Sequence, residues 1–294
     1  MSPVETREVP LPGVKFAPGF RDAVAALRGM LGAARQSREG SGNSSMLGSG
    51  ADLMGFRPYR AGEDLRQLDW NLLARLDKPY VRVTRREAGE LWVLALDGSA
   101  SMGTGPPGKL QRAAECCVAL WCLAGLQKAE VRLVVSLGEN KPPSVLESSN
   151  SRGLEIPMAF LESVQAEGPA GLGALLESPR VLRGATRLFC MGDLMDDCVR
   201  SLLHARRRIA DCHVLQLLAP HEFDPPLGPV DWWDPESGEQ VCLEVGAQER
   251  LAYQVQLEAK LDSWRELAGA HRFSYAARSS ALPFEELVRE MIRT

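Results

Sequence analysis

Apolar positions in this 294-residue chain gather into short continuous runs separated by stretches of helical length, and that rhythm governs residues 90–294. Residues 91–96 (LWVLAL) are an unbroken apolar run, as a strand covered on both faces requires. Runs at 131–137 (VRLVVSL), 187–191 (RLFCM), 213–218 (HVLQLL) and 272–276 predict four more strands. Helices are predicted between them at 110–127, with alanine at 113, 114, 119 and 124, and in shorter pieces at 155–165 and 172–177. A basic amphipathic helix follows at 199–210, a long one at 248–268 and a closing one at 283–292. Residues 223–246, holding the turn-forming W-D-P-E-S-G-E, read as a hairpin. Strands alternating with helices imply an α/β fold, a mostly parallel sheet with helices on both faces, because right-handed crossovers place them there.

The first 89 residues follow another pattern. Residues 1–18 are proline-rich and aperiodic, an arm; 19–35 place Phe20, Val24, Leu27 and Leu31 at helical spacing; 36–50 (QSREGSGNSSMLGSG) read as a loop. From 52 to 86 the chain mixes aromatics, arginines and acids. The expected organisation is therefore an N-terminal arm, helix and elaborating segment over 1–89, and the α/β domain over 90–294.

Composition narrows the function. With 45% hydrophobic and 24% charged residues the chain is an ordinary globular one, and 34 Lys+Arg against 38 Asp+Glu gives −4, which argues against a nucleic-acid binder. Residues 57–86 carry eight Lys/Arg and four Asp/Glu. The interleaved acids favour internal pairing among Arg60, Asp64, Arg66 and Asp69, with Tyr59 and Trp70 packing as anchors, over nucleic-acid docking. The longest apolar run, 116–126, is eleven residues, short of the ~20 of a membrane span. The start, MSPVETREVPLPGVKF, has acids and prolines where a secretion signal has a basic then apolar stretch. Seven cysteines without a C-x-x-C read as buried thiols in a reducing compartment, so the expected location is cytoplasmic. His204, His213, His221 and His271 are scattered, and Trp232–Trp233 read as a partner patch or as cover for the sheet edge.

Open sheets of this kind bind ligands beyond the carboxyl ends of their strands. After LWVLAL stands Asp97-Gly98-Ser99-Ala100-Ser101, and after RLFCM stands Gly192-Asp193-Leu194-Met195-Asp196-Asp197. No dinucleotide, Walker or nucleophile-elbow motif occupies these loops. A carboxylate and two hydroxyls on alternating positions are hard oxygen donors of the kind Mg²⁺ takes. Asp97 supplies charge, Ser99 and Ser101 neutral oxygens, and Asp193 an approach from the next strand end. So few carboxylates leave such an ion electrophilic toward an acidic side chain of a partner. The competing reading makes Asp97 and the serines helix N-caps. Asp196 and Asp197 likewise compete with Asp193 as caps of the helix near 199, Asp193 being preferred as nearest the strand.

D-x-S-x-S after a buried strand, with an acidic loop about a hundred residues on, resembles the von Willebrand factor A-type domain and its metal-ion-dependent adhesion site. Upstream stand G-F-R-P-Y-R-A-G-E-D-L-R-Q-L-D-W-N (55–71) and K-P-Y-V-R-V-T-R-R-E (78–87). With them the chain resembles the bacterial domain-of-unknown-function 58 family, closely over 46–103 and by order of elements thereafter. The resemblance implies a von Willebrand A-like, Rossmann-like sheet with an N-terminal elaboration. It also implies a noncatalytic protein-interaction role beside a MoxR-type AAA+ ATPase, and magnesium on Asp97, Ser99 and Ser101 with Asp193 in an outer position. One departure stands out: adhesion sites take a Thr from the loop after the second strand, and here that place holds Ala170, with no Ser or Thr from 164 to 177. Either a water replaces the hydroxyl or the site is degenerate and binds no metal. The rival reading, a magnesium-dependent hydrolase or phosphoryl-transfer enzyme on the same carboxylates, needs a nearby base, and only Lys109 is at hand.

Overall fold

The computed structural model describes residues 13–39, 53–59, 70–76, 78–84, 90–137, 141–148, 153–169, 171–195 and 198–292. The described parts of 1–33 and 90–294 form one compact unit, and those of 34–89 a second.

In chain order, helix α1 (Phe20–Glu39) is followed by β1 (Leu53–Pro58), α2 (Trp70–Leu76) and β2 (Tyr80–Thr84). β1 and β2 pair antiparallel, with Phe56 opposite Arg82 and Pro58 opposite Tyr80. None of these three short elements was legible within the charged segment. Trp70 is 63% exposed, against the packing role expected of it. Arg60, Asp64, Arg66 and Asp69 lie outside the described residues.

The larger unit is built on β3 (Leu91–Leu96), α3 (Lys109–Leu126), β4 (Glu130–Val135), β5 (Ser144–Ser148), α4 (Glu155–Glu162), α5 (Leu172–Glu177), α6 (Pro179–Leu182) and β6 (Arg187–Gly192). It continues with α7 (Val199–Arg208), β7 (Asp211–Leu218), α8 (Pro220–Phe223), β8 (Gly228–Trp233), β9 (Gln240–Val245), α9 (Ala247–His271), β10 (Ser274–Ser279) and α10 (Phe284–Met291). Six strands form one sheet in the order β10-β7-β6-β3-β4-β5. All neighbours run parallel except β5, which lies antiparallel on β4 at the edge. This is the mostly parallel α/β sheet expected from the apolar rhythm, in the von Willebrand A-like form that the resemblance implies.

The period-two alternation of a strand explains why LWVLAL is apolar throughout. Trp92, Leu94 and Leu96 enter the core under α3, α10, α1 and α4, while Val93 and Ala95 enter the opposite core under α5, α7 and α9. α3 is buried along most of its length, and its alanines and Cys116 and Cys117 keep its backbone close to the sheet. Val14, Phe20, Val24 and Leu27 join the same core, so the arm's end and the start of α1 pack with the sheet.

Some boundaries differ from expectation. β10 starts at Ser274 because α9 runs on to His271 and ends with Arg272 in the left-handed region at φ 55°. The expected hairpin is β8–β9, which pair only with each other. No cysteine is in a disulfide; six are buried as read, but Cys242 on β9 is exposed. Among the described residues no helix is long and apolar enough to cross a membrane.

Candidate functional site

From β3 the chain moves to β4 on one side, then returns to β6 on the other, so strand order reverses between β3 and β6. Leu96 is in register with Met191, and the amide of Asp97 donates to the Met191 carbonyl at 2.9 Å. Both loops singled out in the sequence therefore leave the same sheet edge side by side, at the place where such folds open a crevice.

The D-x-S-x-S turn is held from three directions. Asp97, 1% exposed, accepts the Ser99 amide on Oδ1 at 2.9 Å, and the Ser136 hydroxyl lies 3.4 Å from the same oxygen. Ser136, at the end of β4, accepts the Gly98 amide at 2.9 Å. From the third side, the Ala100 amide donates to the Gly168 carbonyl and the Glu167 amide to the Gly98 carbonyl, at 2.9 and 3.0 Å. These bonds pin the loop before Ala170 to the turn; Ala170 itself lies outside the described residues.

Glycine is required at two contacts. A Cβ on Gly98 would stand 2.1 Å from the Ser136 carbonyl oxygen, and one on Gly192 would stand 2.9 Å from Cβ of Asp97.

The capping alternative is not realised. Ser99 precedes a 3-10 turn, Ala100–Gly103, without a side-chain capping bond, and α3 starts after Gly108. Instead the Ser99 and Ser101 hydroxyls lie 3.0 Å apart and bond to each other. That separation matches the ~3 Å edge between neighbouring ligands of a Mg²⁺ octahedron with bonds near 2.1 Å.

Asp193 is differently engaged. Buried at the end of β6, it takes the Lys109 ammonium on Oδ2 at 2.9 Å and the Met195 amide on Oδ1 at 3.3 Å. Lys109, the first residue of α3 and wholly buried, also donates to Glu222 Oε1 at 2.8 Å. Burial disfavours the ammonium, but the charges of Asp193 and Glu222 outweigh it and hold the lysine above its ordinary value. Gln216, also buried, donates to the Asp193 carbonyl at 2.7 Å and is fixed by the Tyr275 hydroxyl at 2.6 Å. Asp196 and Asp197 lie outside the described residues.

Asp97, Ser99, Ser101 and Asp193 thus come to one edge, with the hydroxyl pair at ligand spacing and Asp193 bound to a lysine. Among the described residues no three His, Cys, Asp or Glu side chains are grouped to hold a metal ion. Sequence reading passed over Ser136, Gln216, Glu222 and Tyr275. A glutamine inside the apolar run HVLQLL and a lysine opening an apolar helix were the available signals.

A mostly parallel sheet carrying D-x-S-x-S and an acid on adjoining strand ends at its switch point defines a von Willebrand A-like domain. The chain belongs to the family described as protein of unknown function DUF58, whose model matches residues 55–262. Among solved structures it is similar to BatB, a conserved hypothetical protein from Bacteroides thetaiotaomicron, with 18% identity over 70% of this chain and 100% of that one at a TM-score of 0.44. It is also similar to the SpRpn10 VWA domain, with 11% identity over 68% of this chain and 94% of that one at a TM-score of 0.37. No curated protein matches it.

Proposed function

We propose that the chain is a noncatalytic protein-interaction module that docks a MoxR-type AAA+ ATPase at the carboxyl edge of its sheet. The observation that carries this reading is a set of exposed large apolar side chains on the elements that leave that edge after β7. In the β8–β9 hairpin, Val230 pairs with Leu243 and Trp232 with Val241, which sets four apolar residues on one face. Val241 and Leu243 on that face are exposed. In α9 no residue from 247 to 260 is buried, and Leu251 and Val255, one turn apart, are each 62% exposed.

This half of α9 is tied to the edge. The Tyr253 hydroxyl donates to the Glu222 carbonyl at 2.7 Å, and Lys260 Nζ lies 3.4 Å from Met195 Sδ, two residues beyond Asp193. Exposed apolar side chains that share one face, as Val241 and Leu243 do on β9 and Leu251 and Val255 do on α9, fit an interaction surface. The class of partner is the one that the resemblance over 46–103 implies.

The noncatalytic assignment rests on the groups present. Lys109, the base a hydrolase would need, is buried and bound to two carboxylates. The Cys212 thiol is pushed up to about 12 by burial, and burial raises Cys116 and Cys117 as well, so these thiols are withheld as nucleophiles.

Calorimetric titration of the full chain with the purified ATPase tests the reading. Leu243→Asp and Val255→Asp, both on exposed positions, weaken binding at least 10-fold, about 1.4 kcal/mol, without changing the melting midpoint. Equal affinity for both variants and wild type contradicts it.

A further inference from the structure

Two buried acids stand on adjoining strand ends, and one of them, Asp193, is paired with a buried lysine. Asp193 is 2% exposed, and a carboxylate in that position needs a countercharge. The chain supplies one of its own. Lys109 reaches the acid from the first turn of α3, 84 residues away in sequence, and reaches Glu222 from the same nitrogen. The receiving groups are fixed in turn: Glu222 Oε2 accepts the Ala219 amide at 2.5 Å, and the Asp193 backbone is held by Gln216. Both oxygens of Asp193 are therefore occupied by protein donors, one of them positively charged.

We propose that Lys109 is the resident cation of this site, doing at Asp193 what a divalent ion does in an adhesion-type site, so that the edge is complete without metal. Any ion reaching for Asp193, directly or through a water, meets the ammonium already seated on it. What remains for a metal is the corner formed by Asp97 and the hydroxyls of Ser99 and Ser101, and because affinity for a hard divalent cation rises with the number of charged ligands, a corner with one carboxylate holds Mg²⁺ weakly. The Ser99 and Ser101 hydroxyls share one hydrogen bond with each other, Ser99 buried and Ser101 half-buried. It follows, on the docking reading above, that the partner is held without a bridging divalent ion.

The test uses the full chain after chelator treatment and needs no partner, so its outcome is separate from that of the docking reading. Mn²⁺ binding is followed by loss of the free-ion EPR signal, and melting is compared in EDTA and in millimolar Mg²⁺. Wild type takes up no stoichiometric Mn²⁺, and its midpoint stays within about 1 °C, where an ion at a hundred times its dissociation constant would add roughly 5–10 °C. One Mn²⁺ per chain, lost in Asp97→Asn, overturns the proposal. A second arm asks whether the ammonium is needed as countercharge. Lys109→Met lowers the midpoint by roughly 10 °C, and adding Asp193→Asn restores at least half of it. A Lys109→Met protein melting like wild type also overturns the proposal, and if that variant does not fold, the Mn²⁺ titration of wild type decides alone.

Discussion

At the scale of single residues, the edge depends on how closely backbone can approach backbone. Gly98 sits where a Cβ would meet the Ser136 carbonyl at 2.1 Å, and neither strand end has a flexible atom to yield. Gly98→Ala forces the D-x-S-x-S turn away from β4 and costs about 1–3 kcal/mol, read from urea denaturation; unchanged stability would show that the turn is not fixed there.

Charge acts at the same scale on the amino side of the sheet. The hydrogen bond from His213 at 2.6 Å, with Arg187 nearby, holds the Asp211 carboxyl below the ordinary carboxylate value against the opposing effect of partial burial. Folding therefore favours the ionised acid. Its stabilisation is present above the ordinary carboxylate value and is lost as pH falls through the lower folded value. Asp211→Asn shrinks the stability difference between about pH 6 and about pH 3, and an undiminished difference in the variant contradicts the assignment.

Residue by residue, the sequence showed Asp97, Ser99, Ser101 and Asp193 because they follow strand ends. It did not show the Lys109 pairing, because the partners lie 84 and 113 positions away and only the fold joins them.

Among the elements, those with both faces buried were the legible ones. β3, β4, β6 and β7 each supply side chains to two cores, so their apolar runs are continuous and unmistakable. β5 (SVLES) has only an edge to fill and alternates between half-buried and exposed positions, which leaves no such run. β1 and β2 pair across a stretch rich in charge, where composition hides alternation. Helix α1 was read from its spacing, but its destination was not. Phe20 packs against Phe284 of α10 with the rings tilted and their centroids 5.0 Å apart, beside Phe16 at 4.8 Å. Phe20→Ala is expected to cost about 3–5 kcal/mol, the loss for a core aromatic, in thermal or urea unfolding of the whole sheet unit. A change under about 1 kcal/mol would mean that α1 is an appendage rather than part of the core.

For the molecule as a whole, one edge of one sheet gathers the features that matter. The switch point between β3 and β6 brings the hydroxyl pair and the lysine-bound acid together, and β7 hands the chain on to a hairpin and a half-exposed helix with apolar side chains facing outward. Hydrogen–deuterium exchange of the full chain, alone and with the MoxR-type ATPase proposed as its partner, reads this surface directly. The account predicts slowed exchange across 228–260 and the 97–104 turn on complex formation, in EDTA as in Mg²⁺. Protection confined to other faces, or protection at this edge only when Mg²⁺ is present, would contradict it.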